Sequence, residues 1–447
     1  MSRHRLRLSA IWLWPALLLA SMGAAANMAE QGHRVQVQGI DVVVYPTAVK
    51  DVVVIVGALP AGDAMAGTGN IAIPTLTGMM LDRGTQLLGK FAIADQLENV
   101  GAEISFGVGT QSLEVRARCL KKDLPLVMGL IAAELRTPAL QAAEFAKARQ
   151  QFLGSLQESL QNTDGRAQEA FGGAVFPVGH PNHPHTIAEY MAAAKSAKLD
   201  ELKAFHAKYY GPLHMTLVLV GDVSSEEVQA EVGKVYAGWT GGQDYIRPAH
   251  PAAASEPRDV SVPLQDKPSV SIILGQATGL TYRDPDSLAL RVGTAIFGHG
   301  FTGRLMGIIR DREGLTYNIG AGMTEDTIAD GVWEISASFA PALLDRGIAS
   351  TRRELHRWWS DGVTEAELAD HKQGLIGGYF VGLSTTGGMA STIVTLLERG
   401  YELTWLDQNP EAVNGLTRDA VNGAIKAHLD PQTMLLVEAG SIPQPPR

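Results

Sequence analysis

The sequence predicts an α+β protein of two homologous domains, each a mixed, mostly antiparallel sheet with helices packed on one side. The first observation is a repeat. PLHMTLVLVGDV (212–223) returns as PQTMLLVEAGSI (431–442) at an offset of 219, matching Pro212 with Pro431, Met215 with Met434 and Gly221 with Gly440. SLEVRARCLKKDLPLVMGLIAAEL (112–135) returns as VWEISASFAPALLDRGIASTRREL (332–355) at an offset of 220, matching Glu114 with Glu334 and Ala117 with Ala337. The second observation is that each copy of this longer segment changes from period two to period 3.6 at the same place, an alternating strand running into an amphipathic helix. A period this long describes duplicated domains rather than a solenoid. The third is the segment between the copies, TGGQDYIRPAHPAAASEPRDVSVP (240–263), rich in Gly, Pro and Ala and without periodicity, as linkers are.

Taken in order, the chain opens with Arg3, Arg5 and Arg7, then the apolar run Leu8 to Met22, then Ala24-Ala25-Ala26. That is the grammar of a cleavable secretory signal over residues 1–26. The run is short for a membrane span and contains Pro15, so no stable membrane insertion is expected after cleavage. A periplasmic location follows as an expectation. The first domain is then 27–239, with 240–263 as linker and 264–447 as the second domain.

In the first domain RVQVQGIDVVVY and VVVIVGAL read as strands, and Ile73 to Leu81 as a short helix. Phe91 to Val100 reads as a helix stopped by Gly101, a residue suited to a left-handed cap. Strands at 103–109 and 112–119 follow, then helices near 122–135 and 141–161. The second domain repeats this order. Trp358-Trp359 reads as packing, and the glycines of LSTTGGMAST (383–392) as a helix junction.

Composition excludes several classes. With 45% hydrophobic and 19% charged residues the chain is globular. Its net charge of −10 disfavours nucleic acid as a partner. Cys119 is the only cysteine, so there is no disulfide framework and no thiolate zinc site.

The usual catalytic motifs are missing. No H-E-x-x-H, H-x-x-E-H, G-x-S-x-G or P-loop occurs, and GHGFTG (298–303) lacks the Lys-Ser/Thr pair that cradles phosphate. His180, His183 and His185 form the one dense histidine group. They offer three imidazoles to a relocated metal, although the flanking prolines predict an exposed loop with no nearby carboxylate.

IPTLTGMMLDRGT (73–85) resembles the zinc-site helix of the pitrilysin or insulin-degrading metallopeptidases, in which an inverted H-x-x-E-H lies just before Gly-Thr. Aligned on Gly84-Thr85, the zinc histidines fall on Thr75 and Met79 and the catalytic glutamate on Gly78. For the third ligand only Glu158 is available, in LGSLQESL (153–160). Three protein ligands and a base are needed to activate a zinc-bound water. Thr, Met and Gly provide none of them, so no zinc is expected in this chain. FHAKYYGPLHMTLVLVGDV (205–223) is similar to the end of the family's first domain. GRLMGIIRDREGLTYNIGAG (303–322) resembles its Arg-(six residues)-Tyr element, carried by Arg310 and Tyr317.

Read from the residues, 302–311 has helical spacing and Gly314 ends the helix before a strand. An arginine at the helix end and a tyrosine early in the strand can then share one surface and bind a peptide carbonyl. The alternative is an Arg310 paired with Asp311 or Glu313 and a Tyr317 packed in the sheet.

The resemblance implies a division of labour, since the family includes two-chain peptidases of the processing-peptidase type that close around a chamber. One chain brings zinc and the other the Arg/Tyr pair. This chain is expected to be the non-catalytic subunit, inactive alone, with a homologous zinc-bearing partner and with unfolded or short peptides as substrates. A periplasmic peptide-binding or chaperone-like module without hydrolysis is the alternative, capturing extended chains at a sheet edge.

Overall fold

The computed structural model describes residues 27–243 and 258–442. The proposed signal, 1–26, and most of the proposed linker lie outside them. After a short helix α1 (Met28–Gln31), the first half forms strands β1 (His33–Val37), β2 (Ile40–Pro46) and β3 (Val52–Leu59). Helices α2 (Ile73–Gly78) and α3 (Lys90–Val100) follow, then the hairpin β4 (Glu103–Val108) and β5 (Leu113–Leu120). Helices α4 (Leu124–Arg136), α5 (Ala142–Ser159), α6 (Thr163–Val175), α7 (Ile187–Ser196) and α8 (Leu199–Tyr209) lead into β6 (Thr216–Gly221) and α9 (Ser225–Val235). Gly101 caps α3 at φ +63°, as the sequence predicts.

The second half runs β7 (Asp259–Pro263), β8 (Val270–Ala277), α10 (Ser287–Gly298), a π-helical turn (Met306–Arg312), and the hairpin β9 (Thr316–Thr324) and β10 (Val332–Phe339). It ends with α11 (Leu344–Asp361), α12 (Glu365–Leu383), α13 (Thr386–Glu398), α14 (Trp405–Gly415), α15 (Arg418–His428) and β11 (Leu435–Gly440). The segment read as a linker to residue 263 therefore ends in a strand. β7 pairs in parallel with β11, so the second sheet starts before residue 264. The alternation of Val260 and Val262 was hidden by its Pro-rich surroundings.

The duplication is visible in strand order. The first sheet runs β1-β2-β6-β3-β5-β4 and the second β7-β11-β8-β10-β9, so β2, β6, β3, β5 and β4 repeat as β7, β11, β8, β10 and β9. One pair in each is parallel and the rest of the repeated core is antiparallel. Register fixes the correspondence residue by residue. Val53 faces Gly221 and Cys119, while Val270 faces Gly440 and Phe339, which reproduces the offsets of 219 and 220. Gly221 and Gly440 both hold φ +147°, and a Cβ on either would strike the carbonyl of the neighbouring strand. Arg83–Glu144 and Arg304–Glu367 are a second equivalent pair, each tying the segment after the first helix to a long helix.

Each half lays its own helices on one sheet face. The strands nevertheless read as continuous apolar runs, because the opposite face is also covered. In the first sheet Val42, Val44, Ile55 and Leu219 face the first half's helices. Val43, Tyr45, Val56, Val218 and Val220 turn the other way and pack against Met389, Ala390, Ile393 and Val394 of α13. In the second sheet Ile272, Leu274 and Leu436 face their own helices, and Ile273, Leu435 and Val437 pack against Ala167, Phe171 and Val175 of α6. The two halves thus exchange a helix. Trp358 stacks with Phe297 and Trp333 in the second core, and Trp359 donates from Nε1 to Leu429 O. Among the described residues no single helix is long and apolar enough to cross a membrane.

Candidate functional site

The helix aligned with a zinc site, α2, is short, with Pro74 tolerated in its first turn, and it closes at Met79, whose amide donates to Thr75 O. Its side chains are committed elsewhere. Thr75 Oγ1 donates to Asp63 Oδ1 at 2.8 Å, and Tyr190 O–H donates to Asp63 Oδ2 at 3.2 Å. Burial raises the Asp63 pKa, against the pull of these two hydrogen bonds. Burial, followed by the Asp63 charge, raises that of Tyr190. Met79 is half-buried against the first core. Gly78 is buried, and a Cβ there would lie 2.3 Å from Val108 Cγ2 on β4. A side chain at 78 would require the Val108 side chain to turn aside. Glu158 is exposed near the end of α5, with no hydrogen bond or ion pair to Thr75 or Met79. A hydroxyl bound to a carboxylate, a thioether and a packed glycine do not suit a zinc ion.

The histidine group departs from its expected form. His180 is 5% exposed rather than in an exposed loop, and its Nδ1 accepts the Asn182 amide at 3.1 Å. That leaves Nε2–H to donate to Asp330 Oδ1 at 3.0 Å, in the turn between β9 and β10. A carboxylate is therefore close in space though 150 residues away in sequence. Asn182 Nδ2 donates to the Glu325 and Asp330 carbonyls, so this loop fastens the first half to the second. His183 Nδ1 bonds Phe176 O at 2.8 Å, and His185 lies edge-on to Tyr190. The three imidazoles serve separate partners. Among the described residues no group of three His, Cys, Asp or Glu side chains is arranged to hold a metal.

Arg310 and Tyr317 lie in adjoining elements. Arg310 belongs to the π-helical turn, whose exit is made by Gly314 at φ +63°. Its guanidinium lies 5.2 Å from the ring centroid of Phe301, itself 75% exposed. Its nearest carboxylate contact, Asp311, is at 4.0 Å and exposed, a weak pair. Glu313 is taken by Ser350 and Arg353 instead. Tyr317 is 93% exposed on β9, the edge strand of the second sheet.

A β-bulge explains its orientation. Ala337 faces Ile319 and Phe339 faces Thr316, so β9 carries one extra residue opposite Ser338. Thr316 Oγ1 donates to Ser338 O at 2.5 Å and accepts the Asn318 amide at 3.2 Å, clamping the bulge. Simple alternation would place Tyr317 on the face of buried Ile319, and the bulge turns it outward. Of the alternative arrangement, the Arg310–Asp311 pair is present at 4.0 Å, while neither a pair with Glu313 nor a packed Tyr317 is formed. Phe301 and Thr316 were not singled out by the sequence; an aromatic in a glycine-rich loop and a threonine ahead of the tyrosine carry little signal alone.

Residues 196–375 match the family described as the peptidase M16 inactive domain, a span that includes Arg310 and Tyr317. A non-peptidase homolog from Helicobacter pylori is 21% identical over 378 residues, 83% of this chain and 85% of that protein. The likeness is to the M16 family. A protein from Rickettsia bellii named an uncharacterized zinc protease is 25% identical over 294 residues, 65% of this chain and 68% of its relative. The crystal structure of a peptidase M16 inactive domain from Pseudomonas fluorescens superposes with a TM-score of 0.83 at 23% identity, covering 92% of this chain and 97% of the other. A protease from Helicobacter pylori gives a TM-score of 0.81 at 18% identity, covering 91% and 98%. The α+β fold read from the sequence is the fold shared with these structures.

Proposed function

We propose that this chain is the non-catalytic subunit of a two-chain zinc peptidase, paired with a homologous M16 subunit that carries an intact H-x-x-E-H. It binds no zinc itself, forms half of a closed chamber, and presents Arg310 and Tyr317 to the partner's site. Unfolded or short peptides are its substrates, since a closed chamber excludes folded proteins, and the periplasm is its location. The observation that supports this most is the exposure of Tyr317 on a bulged edge strand beside an arginine without a strong carboxylate partner. A large aromatic turned into solvent by a clamped backbone irregularity is poor design for stability and apt for contact with a second molecule.

In that role the partner's metal supplies the activated water. The Arg310 guanidinium donates to the substrate carbonyl, and the Tyr317 O–H donates to the oxygen that gains charge as the carbonyl becomes tetrahedral. Removing one such donor costs roughly 10²–10³ in rate.

The test is hydrolysis of an unfolded peptide by this chain alone, by the zinc-bearing subunit alone and by the mixture. Cleavage by the mixture only, reduced about 100-fold by Arg310→Ala or Tyr317→Phe at unchanged subunit affinity, is the expected result. Full activity of the zinc-bearing subunit alone, or of a mixture containing either variant, overturns the assignment. The unpaired edge of β9 favours the second reading, peptide capture by strand addition without hydrolysis. It calls for peptide binding by the isolated chain and no cleavage by any mixture.

A further inference from the structure

A cavity lined by neither Arg310 nor Tyr317 lies among the helices of the second half. It measures about 870 Å³ and is lined by α10, α12, α13 and α14. These helices repeat α2, α5, α6 and α7, so the cavity occupies the second half's counterpart of the altered zinc-helix region.

Two guanidiniums meet on its wall. Arg291 from α10 and Arg399 from the C-terminal cap of α13 both stack on the ring of Tyr282, at 4.3 Å and 3.6 Å from its centroid. Asp326, 3% exposed, contacts Arg291. Arg291 Nε is buried without a hydrogen-bond partner. Among the described residues the hydrogen bond of Arg399 is a long one, Nε to Thr327 Oγ1 at 3.5 Å. Burial lowers the pKa of both, that of Arg291 to about 10, which records how poorly their charge is solvated. His371, also on the lining, has Nδ1 bonded to Glu367 O and a buried Nε2 with no partner. The remaining walls are mostly apolar, with Leu288, Val292, Leu375, Ile376, Leu396 and Trp405, while His299 and Asp370 are exposed at the mouth.

Two half-buried guanidiniums, with Arg283 over the neighbouring Tyr401 ring, outnumber the carboxylates acting on them, Asp326 and Glu398, and leave positive charge with unused planar donors beside a largely apolar cavity of ligand size. We infer that this cavity binds an apolar monocarboxylate, its head on Arg399 and Arg291 and its body along the apolar wall. A phosphate dianion matches the residual charge less well. The same chemistry is offered by a free apolar acid and by the C-terminal carboxylate of a short apolar peptide. The inference needs no partner subunit and stands apart from the role proposed for Arg310 and Tyr317.

Calorimetric titration of the full chain with decanoate and with acetyl-trileucine, each beside its neutral amide, tests it and separates the sources. At least one acid binds at one site per chain, its amide binds about tenfold more weakly or worse, and Arg399→Gln costs a similar factor. Gly374→Phe provides a check independent of the charges. A Cβ at this position meets nothing within 4 Å and Gly374 lines the cavity, so the larger side chain is tolerated and binding is lost in a folded protein. Absence of binding by both acids up to millimolar concentration overturns the inference. So does equal binding of acid and amide, or wild-type affinity in Gly374→Phe.

Discussion

Glu134 sits in α4 with 1% of its surface exposed, its Oε2 unpaired and Asp82 nearby. Burial, helped by the Asp82 charge, pushes its pKa up to about 8. The folded chain therefore holds a proton that the unfolded chain releases near pH 4.5. The unfolded state binds fewer protons in that interval, so stability falls as pH rises from about 5 towards 8. Glu134→Gln should flatten this dependence and raise the urea midpoint at pH 8, with little change at pH 5. An unaltered pH profile in the variant would assign the effect to other groups. Glu144 behaves in the opposite sense. Hydrogen bonds from Lys147 and Lys90 hold it at about 2, so it stays ionised throughout that range. At the same scale the three positions aligned with a zinc site have other commitments: Thr75 bonds Asp63, Met79 packs on the core, and Gly78 lies against the Val108 side chain.

Among the elements, β9 carries the most specific device. Its bulge depends on the Thr316 hydroxyl, which bridges Ser338 O and the Asn318 amide. Thr316→Val keeps the β-branched shape and removes both bonds, at a cost of about 1–2 kcal/mol. Faster hydrogen exchange at the Asn318 amide, with the rest of the sheet unchanged, is the expected signature. If the bulge is held by the strand pairing alone, that amide will exchange as in the parent. Residues 302–311 have helical spacing, where the structure has a π-helical turn over Met306–Arg312. Periodicity alone does not separate these two helical forms over so short a run.

At the scale of the whole molecule, the exchanged helices decide how the halves behave. Phe171 on α6 is 1% exposed against the second sheet, and Ile393 on α13 is fully buried against the first. Phe171→Ala should cost about 3–5 kcal/mol and Ile393→Ala about 2–5 kcal/mol. Because each helix lies in the opposite half's core, either substitution should lower one shared melting transition. Two separated transitions in either variant would show that the halves unfold independently.

The chain's own letters were enough to reveal the duplication, the strand and helix order, and the loss of the zinc motif. Those follow from local periodicity and from residue identities at fixed spacing, such as Gly221 with Gly440 and Thr75-x-x-Gly78-Met79. Tertiary structure alone placed α6 and α13 on each other's sheets, because an apolar helix face does not name its partner. It buried His180 against Asp330 and gathered Arg291, Arg399 and Tyr282 around one cavity, since each set joins segments about 100 residues or more apart in sequence or across a helix junction. The outward turn of Tyr317 belongs to the same class. One extra residue in β9, counted only against its neighbour β10, reverses the face on which that side chain emerges.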